Sequence, residues 1–170
     1  MTGDLLDFDP ANFAFAASSP PVDTTDAALT FNVSSNDGSD IPVLIVSEAG
    51  DFSFLGINAD VAAVSAGLFV KILDTATQTI LVEESAVFSA TNSTTPADGG
   101  FWSNEVVIDL TQFQLSSFDV VINNTLQAAG PDDTAASIRK KNFQVNVPEP
   151  GTAALLAAGL SLMALRRKTA

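Results

Sequence analysis

Hydrophobic and polar residues alternate along most of the chain in runs of strand length. Leu29, Phe31 and Val33 are interleaved with Thr30, Asn32 and Ser34, the two-residue period of a half-buried β-strand. Val43–Ser47 and Asp51–Leu55 read as two strands joined by a short hairpin turn at Glu48-Ala49-Gly50. Gly67–Leu73 and Thr79–Glu83 flank a second turn, Asp74–Gln78, and Ala86–Ala90 is a short apolar run. Trp102–Leu110, Phe118–Asn123 and Ile138–Val147 complete the set. In the last of these, Phe143, Val145 and Val147 share one face, opposite Asn142, Gln144 and Asn146.

The punctuation between the runs consists of turn formers. Asn36-Asp37-Gly38-Ser39-Asp40 is a turn cluster, 91–100 (TNSTTPADGG) a loop, and 127–137, holding Pro131-Asp132-Asp133, another. Residues 1–26 are acidic and interrupted by prolines; they read as an N-terminal arm with one strand at Ala11–Ala16. Ala59–Ala66 is the one stretch that suits a turn or two of helix. Roughly eight to nine short strands with turn signals every ~8–12 residues predict an all-β fold, an antiparallel β-sandwich of jelly-roll or immunoglobulin-like type. The expected domain spans 27–147.

Residues 148–170 break the pattern. Pro148-Glu149-Pro150 is a stiff extended triplet, because proline fixes φ and disfavours helix in the residue before it. Gly151 to Leu165 carries no charge on any helical face, so a helix there has no side suited to water. Gly151, Leu155, Leu156, Leu160, Leu162 and Leu165 mark its apolar length, and Arg166, Arg167 and Lys168 follow it as a basic stop. Such a helix spans ~22 Å, short of a ~30 Å hydrocarbon core. Snorkelling basic side chains and a thinned bilayer cover the deficit. The expected element is a C-terminal hydrophobic helix that engages a membrane, with its basic end on the cytoplasmic side.

Charge sharpens the contrast. All acidic residues but Glu149 fall within 1–138, where Lys71 is the sole base; the other bases form the clusters 139–141 and 166–168. An acidic surface repels phosphate backbones, so no nucleic-acid partner is expected. With no cysteine and no histidine, disulfides, thiolate metal sites and a Ser-His-Asp triad are excluded, and the commonest general base is missing.

Candidate chemistry is sparse. Asn36, Asp37 and Asp40 offer oxygens around a glycine turn, but calcium takes about six to eight, so they are at most part of a site with Asp51 or Asp98; otherwise the turn is a solvated hairpin turn. Thr75, Thr77 and Thr79 alternate, yet they cover a turn, which leaves them as turn and edge-strand threonines. Glu83, Glu84 and Glu105 are considered as a glycosidase-like pair; Glu83 and Glu84, adjacent on one strand, point to opposite faces and cannot both serve. Trp102, beside Phe101 and the Gly99-Gly100 loop, is a candidate ligand contact that could stack on a sugar; a core position is the competing assignment.

The constellation at 148–168 resembles the PEP-CTERM sorting signal of exported bacterial proteins. Pro148, Glu149 and Pro150 match its triplet, Gly151–Leu165 its short hydrophobic helix, and Arg166-Arg167-Lys168 its basic end. The resemblance implies recognition by an exosortase, a membrane-embedded cysteine transpeptidase-like enzyme, transient passage through the inner membrane, and cleavage near the triplet. The destination is then the cell surface or an extracellular matrix rich in polysaccharide. On that basis the chain is expected to be a non-enzymatic structural or adhesive protein, with a carbohydrate- or calcium-binding sandwich associated with exopolysaccharide as the alternative.

Family members carry an N-terminal signal peptide. The segment MTGDLLDFDPANFAF has no basic n-region, and Asp4, Asp7 and Asp9 interrupt any apolar core. The true start is therefore expected upstream of Met1, the alternative being a truncated gene. Sequencing the genomic DNA before Met1 should reveal an in-frame basic and apolar leader; a stop codon directly upstream would refute this.

Overall fold

In a computed structural model the described residues are 4–8, 14–18, 22–55, 62–92, 99–130 and 134–148. They form nine strands: β1 (Asp4–Phe8), β2 (Ala14–Ser18), β3 (Val22–Ser34), β4 (Val43–Leu55), β5 (Ala63–Leu73), β6 (Ile80–Thr91), β7 (Gly100–Asp109), β8 (Ser117–Ala129) and β9 (Ala135–Val147). No helix occurs among the described residues. The hydrophobic segment 151–165 lies outside them.

The pairing has one organising centre, the β5–β6 turn. Asp74 N donates to Thr79 O (3.0 Å) and Gln78 N to Asp74 O (2.8 Å), while Thr77 N donates to the Asp74 carboxylate at 2.7 Å. The Thr77 backbone N–H, with the Thr77 hydroxyl and the Ala76 N–H, holds the Asp74 carboxyl below the usual carboxylate range. Strands then pair antiparallel at matched distances before and after that turn. Lys71 opposes Glu83, Val46 opposes Val106, Thr30 opposes Val121, and Leu6 opposes Val145. The chain is therefore one long antiparallel hairpin.

That hairpin is rolled up by a second set of pairings, β5 with β8 and β4 with β9. The result is two sheets, β3-β8-β5-β6 and β1-β9-β4-β7, with β2 also paired to β9. Apart from β5–β6 and the β1–β2 connection, each step along the chain crosses between sheets. This is the winding of a jelly roll, distinct from the immunoglobulin arrangement, in which about half of the consecutive strands share a sheet.

Alternation fills the space between the sheets. β4 turns Leu44, Val46, Phe52 and Phe54 inward; β8 turns in Phe118, Val120, Ile122, Leu126 and Ala128. The buried apolar residues fall into two clusters. One is centred on Leu44, Val70, Ile108, Phe118 and Ile122, the other on Phe52, Phe54, Trp102, Leu126 and Ile138.

Several expectations need correction. Glu48-Ala49-Gly50 is not a hairpin turn but the middle of the continuous strand β4. Gly50 meets a packing demand there: a Cβ at this position would lie 1.8 Å from the Arg139 carbonyl oxygen. Residues 63–66 extend β5 rather than forming helix, because their alternate side chains Val64 and Ala66 face the core. The loop expected over 127–137 is shorter, since β8 runs to Ala129 and β9 begins at Ala135. The 1–26 arm is also not separate: β1 and β2 pair with β9, and β3 begins at Val22. The expected strand at Ala11–Ala16 is observed as Ala14–Ser18, with 11–13 outside the described residues.

Phe118 is among the largest fully buried side chains. Phe118→Ala should cost about 3–5 kcal/mol in urea denaturation, whereas Phe101→Ala, at an exposed position, should change stability by about 0.5 kcal/mol or less.

Candidate functional site

Between the two apolar clusters lies a polar layer. In the inward sequence of β4, Leu44-Val46-x-Gly50-Phe52-Phe54, the missing position is Glu48, and it is 2% exposed. Asn104 occupies the matching inward position of β7, and Asn124 that of β8. From β9 comes Lys140, 5% exposed.

Lys140 reaches the interior through a bulge. Residues 136, 138 and 140 of β9 face inward, and so do 143 and 145, which requires a change of parity between them. The register against β4 shifts there: Ala49 opposes Asn142, and Gly50 opposes Lys140. The extra residue, Lys141, projects outward and pairs with Asp51. Without the bulge, Lys140 would share the solvent face of Asn142 and Gln144.

The four side chains form one network. Lys140 Nζ lies 2.5 Å from Glu48 Oε2 and donates to Asn124 Oδ1. Asn104 Nδ2 donates to Glu48 Oε1 and to the Ala66 carbonyl, both at 3.0 Å. The Phe143 ring lies over the ammonium, 5.4 Å from Nζ to centroid. Next to it Trp102 Nε1 donates to Arg139 O at 3.1 Å, and the indole stacks on Phe88. Burial pushes the Lys140 ammonium below the ordinary lysine range, and the Glu48 carboxylate opposes that shift.

Sequence reasoning passed over this cluster. By sequence Arg139-Lys140-Lys141 is only a cluster of bases, and Glu48 falls in an expected hairpin turn. One signal was present: Glu48 and Asn104 each interrupt an apolar face at period two, Leu44-Val46-Glu48 and Trp102-Asn104-Val106.

The sequence candidates sit elsewhere. Trp102 is 3% exposed and belongs to the core, so it offers no open stacking face; its neighbour Phe101 is 86% exposed on β7. The carboxylate of Asp37 is engaged by its own turn. Ser35 Oγ donates to it at 2.6 Å and Ser39 N at 2.9 Å, and these bonds hold its carboxyl well below the usual carboxylate range. Asn36 and Asp40 flank it, and among the described residues no three acidic side chains gather as a metal site. Glu83 pairs with Lys71 at 3.3 Å. Glu105 lies on β7 of the other sheet, away from Glu83 and Glu84 on β6. Pro148 follows β9 directly, while Glu149, Pro150, Gly151–Leu165 and the basic stop lie outside the described residues.

Residues 146–168 match the PEP-CTERM protein-sorting motif. The match begins in the last two residues of β9 and ends at Lys168. No curated protein matches the chain. Among solved structures, the T13 IBDV viral particle is similar at a TM-score of 0.51 and 12% identity, covering 87% of this chain and 33% of that one. The infectious bursal disease virus VP2 subviral particle gives 0.50 and 12%, covering 85% and 32%. This chain thus spans about a third of the length of those proteins, and the likeness is one of fold. Fold and motif together define an all-β sandwich protein that carries a sorting signal. The chain carries the PEP-CTERM protein-sorting motif, which implies an exported, membrane-sorted surface protein.

Removing one member of the buried pair strands the other. Lys140→Met should destabilise the fold by about 3–5 kcal/mol, and adding Glu48→Leu should recover part of that loss. Urea denaturation of the single and double variants checks both statements.

Proposed function

We propose that this is a bacterial surface or extracellular-matrix protein, cleaved by an exosortase in or beside Pro148-Glu149-Pro150, with a non-catalytic structural or adhesive role. The observation that carries the proposal is the sorting motif at 146–168, which begins in the last two residues of β9. Because β9 ends at Val147, cleavage at the triplet leaves the nine described strands in place. Two prolines keep that junction extended, the form in which a protease active site can grip a backbone. Gly151–Leu165 then serves as a short membrane helix, and Arg166, Arg167 and Lys168 hold its end at the cytoplasmic face.

The structural role is supported by where the polar groups lie. The buried ones are sealed between sheets, and the acidic turns bind their own backbone instead of converging. A sugar-binding role for the released sandwich is the second reading, favoured by Phe101, whose exposed ring sits on the edge strand β7.

Mass spectrometry of the protein from its host, with and without the exosortase, tests the sorting. Wild-type cells should yield a chain lacking the residues after the triplet, and exosortase-deficient cells the uncut tail. An uncut tail in both would refute it.

A further inference from the structure

The buried network places an amine, a carboxamide and a carboxyl group in mutual contact, shut away from water. Lys140 Nζ meets Oδ1 of Asn124, whose carboxamide carbon Cγ lies one bond further, ~1.2 Å away. On its other side the same Nζ lies 2.5 Å from Glu48 Oε2. Glu48 is in turn fixed by Asn104, which donates to Oε1 and is itself anchored on the Ala66 carbonyl. The three reacting groups come from three strands, β9, β8 and β4, and each is held by its neighbours in the rolled fold.

We propose that Lys140 and Asn124 form an intramolecular isopeptide bond, with Glu48 as the proton-transfer group. Glu48 first takes a proton from the Lys140 ammonium, which converts the ion pair into a neutral amine and a neutral carboxylic acid. Burial favours that exchange, since it abolishes two charges in an apolar interior, and Lys140 is already shifted in the required direction. The amine attacks Cγ of Asn124, and the Nζ–Cγ bond forms. Glu48 donates its proton to Nδ2 as the Cγ–Nδ2 bond breaks, and it accepts the proton that Nζ sheds. One ammonia leaves, and Nζ–H and Cγ=O remain as a secondary amide. Glu48 ends protonated, able to donate to the new amide oxygen. No oxidant, cofactor or second enzyme is consumed.

Proximity drives this step at a carboxamide, an otherwise inert electrophile. Fixed, oriented groups react with effective molarities on the order of 10⁵ M or higher. A neutral lysine amine in a desolvated site is a nucleophile that proteins use elsewhere. A plain structural ion pair explains the same residues less well. Buried pairs rarely outperform apolar side chains of similar size, whereas here a carboxamide is also brought against the amine.

The product would be a staple between the sheets. It joins β8 of one to β9 of the other, across a chain separation of 16 residues. The sequence has no cysteine, so a disulfide cannot serve this purpose. The inference stands independently of the sorting proposal.

Intact-mass measurement of the purified, denatured full chain tests it. The wild type should be lighter than its unmodified sequence by one ammonia, about 17 Da. Proteolysis should give a single branched peptide joining the Asn124 and Lys140 segments. Lys140→Arg, Asn124→Ala and Glu48→Gln should each retain the full mass, and Glu48→Gln should melt roughly 10 °C below wild type if the staple acts like a disulfide closing a loop of this size. Recovery of linear peptides with an unmodified Lys140 from folded wild type overturns the proposal. So does an ammonia loss that persists in Lys140→Arg, which would mark succinimide formation at an asparagine. The wild-type peptide map decides the question even if a variant fails to fold.

Discussion

Antiparallel pairing about a single turn is the constraint on which the structure rests. With the Asp74–Thr79 turn closed, each later strand has one partner at a matched distance on the other arm, from β5–β6 outward to β1–β9. A flat hairpin of that length would expose both faces. Rolling it so that β8 lies against β5 and β9 against β4 buries one face of each sheet. Most of the pairings are therefore remote in sequence, and the inward face of every strand is settled only when the roll closes.

The polar layer shows what that closure does to individual side chains. Glu48, Asn104 and Asn124 lie inward because their strands alternate without interruption. Lys140 lies inward because β9 does not. One extra residue in β9 reverses parity, sends Lys141 to Asp51 at the surface, and delivers Lys140 to Glu48. A bulge opposite Gly50, where no Cβ fits beneath the Arg139 carbonyl, is thus the local irregularity that builds the one charged cluster of the described interior.

The sorting motif begins at the very end of the last strand of the sandwich. The strands end at Val147, and the proline triplet follows at once. The viral structures are similar in fold at 12% identity. Such a likeness reflects how a long hairpin can be rolled and says nothing about a shared partner.

Local chemistry was enough for several conclusions. Alternating runs gave the strands, the Asp74–Gln78 turn gave the central hairpin, and Pro148-Glu149-Pro150 with its apolar and basic sequel gave the sorting signal, because each is a short-range property of the chain. The same local logic misread Glu48-Ala49-Gly50 as a turn: a carboxylate beside a glycine inside an apolar run looks like a break unless a cation waits across the sheet. It saw Lys140 only as one of a cluster of bases and considered Trp102 as a ligand contact for the same reason. Whether a polar residue in a strand faces water or the core depends on strand parity, on a bulge, and on partners many residues away. Those are set by long-range pairing, so only the tertiary structure could bring Glu48, Asn104, Asn124 and Lys140 together.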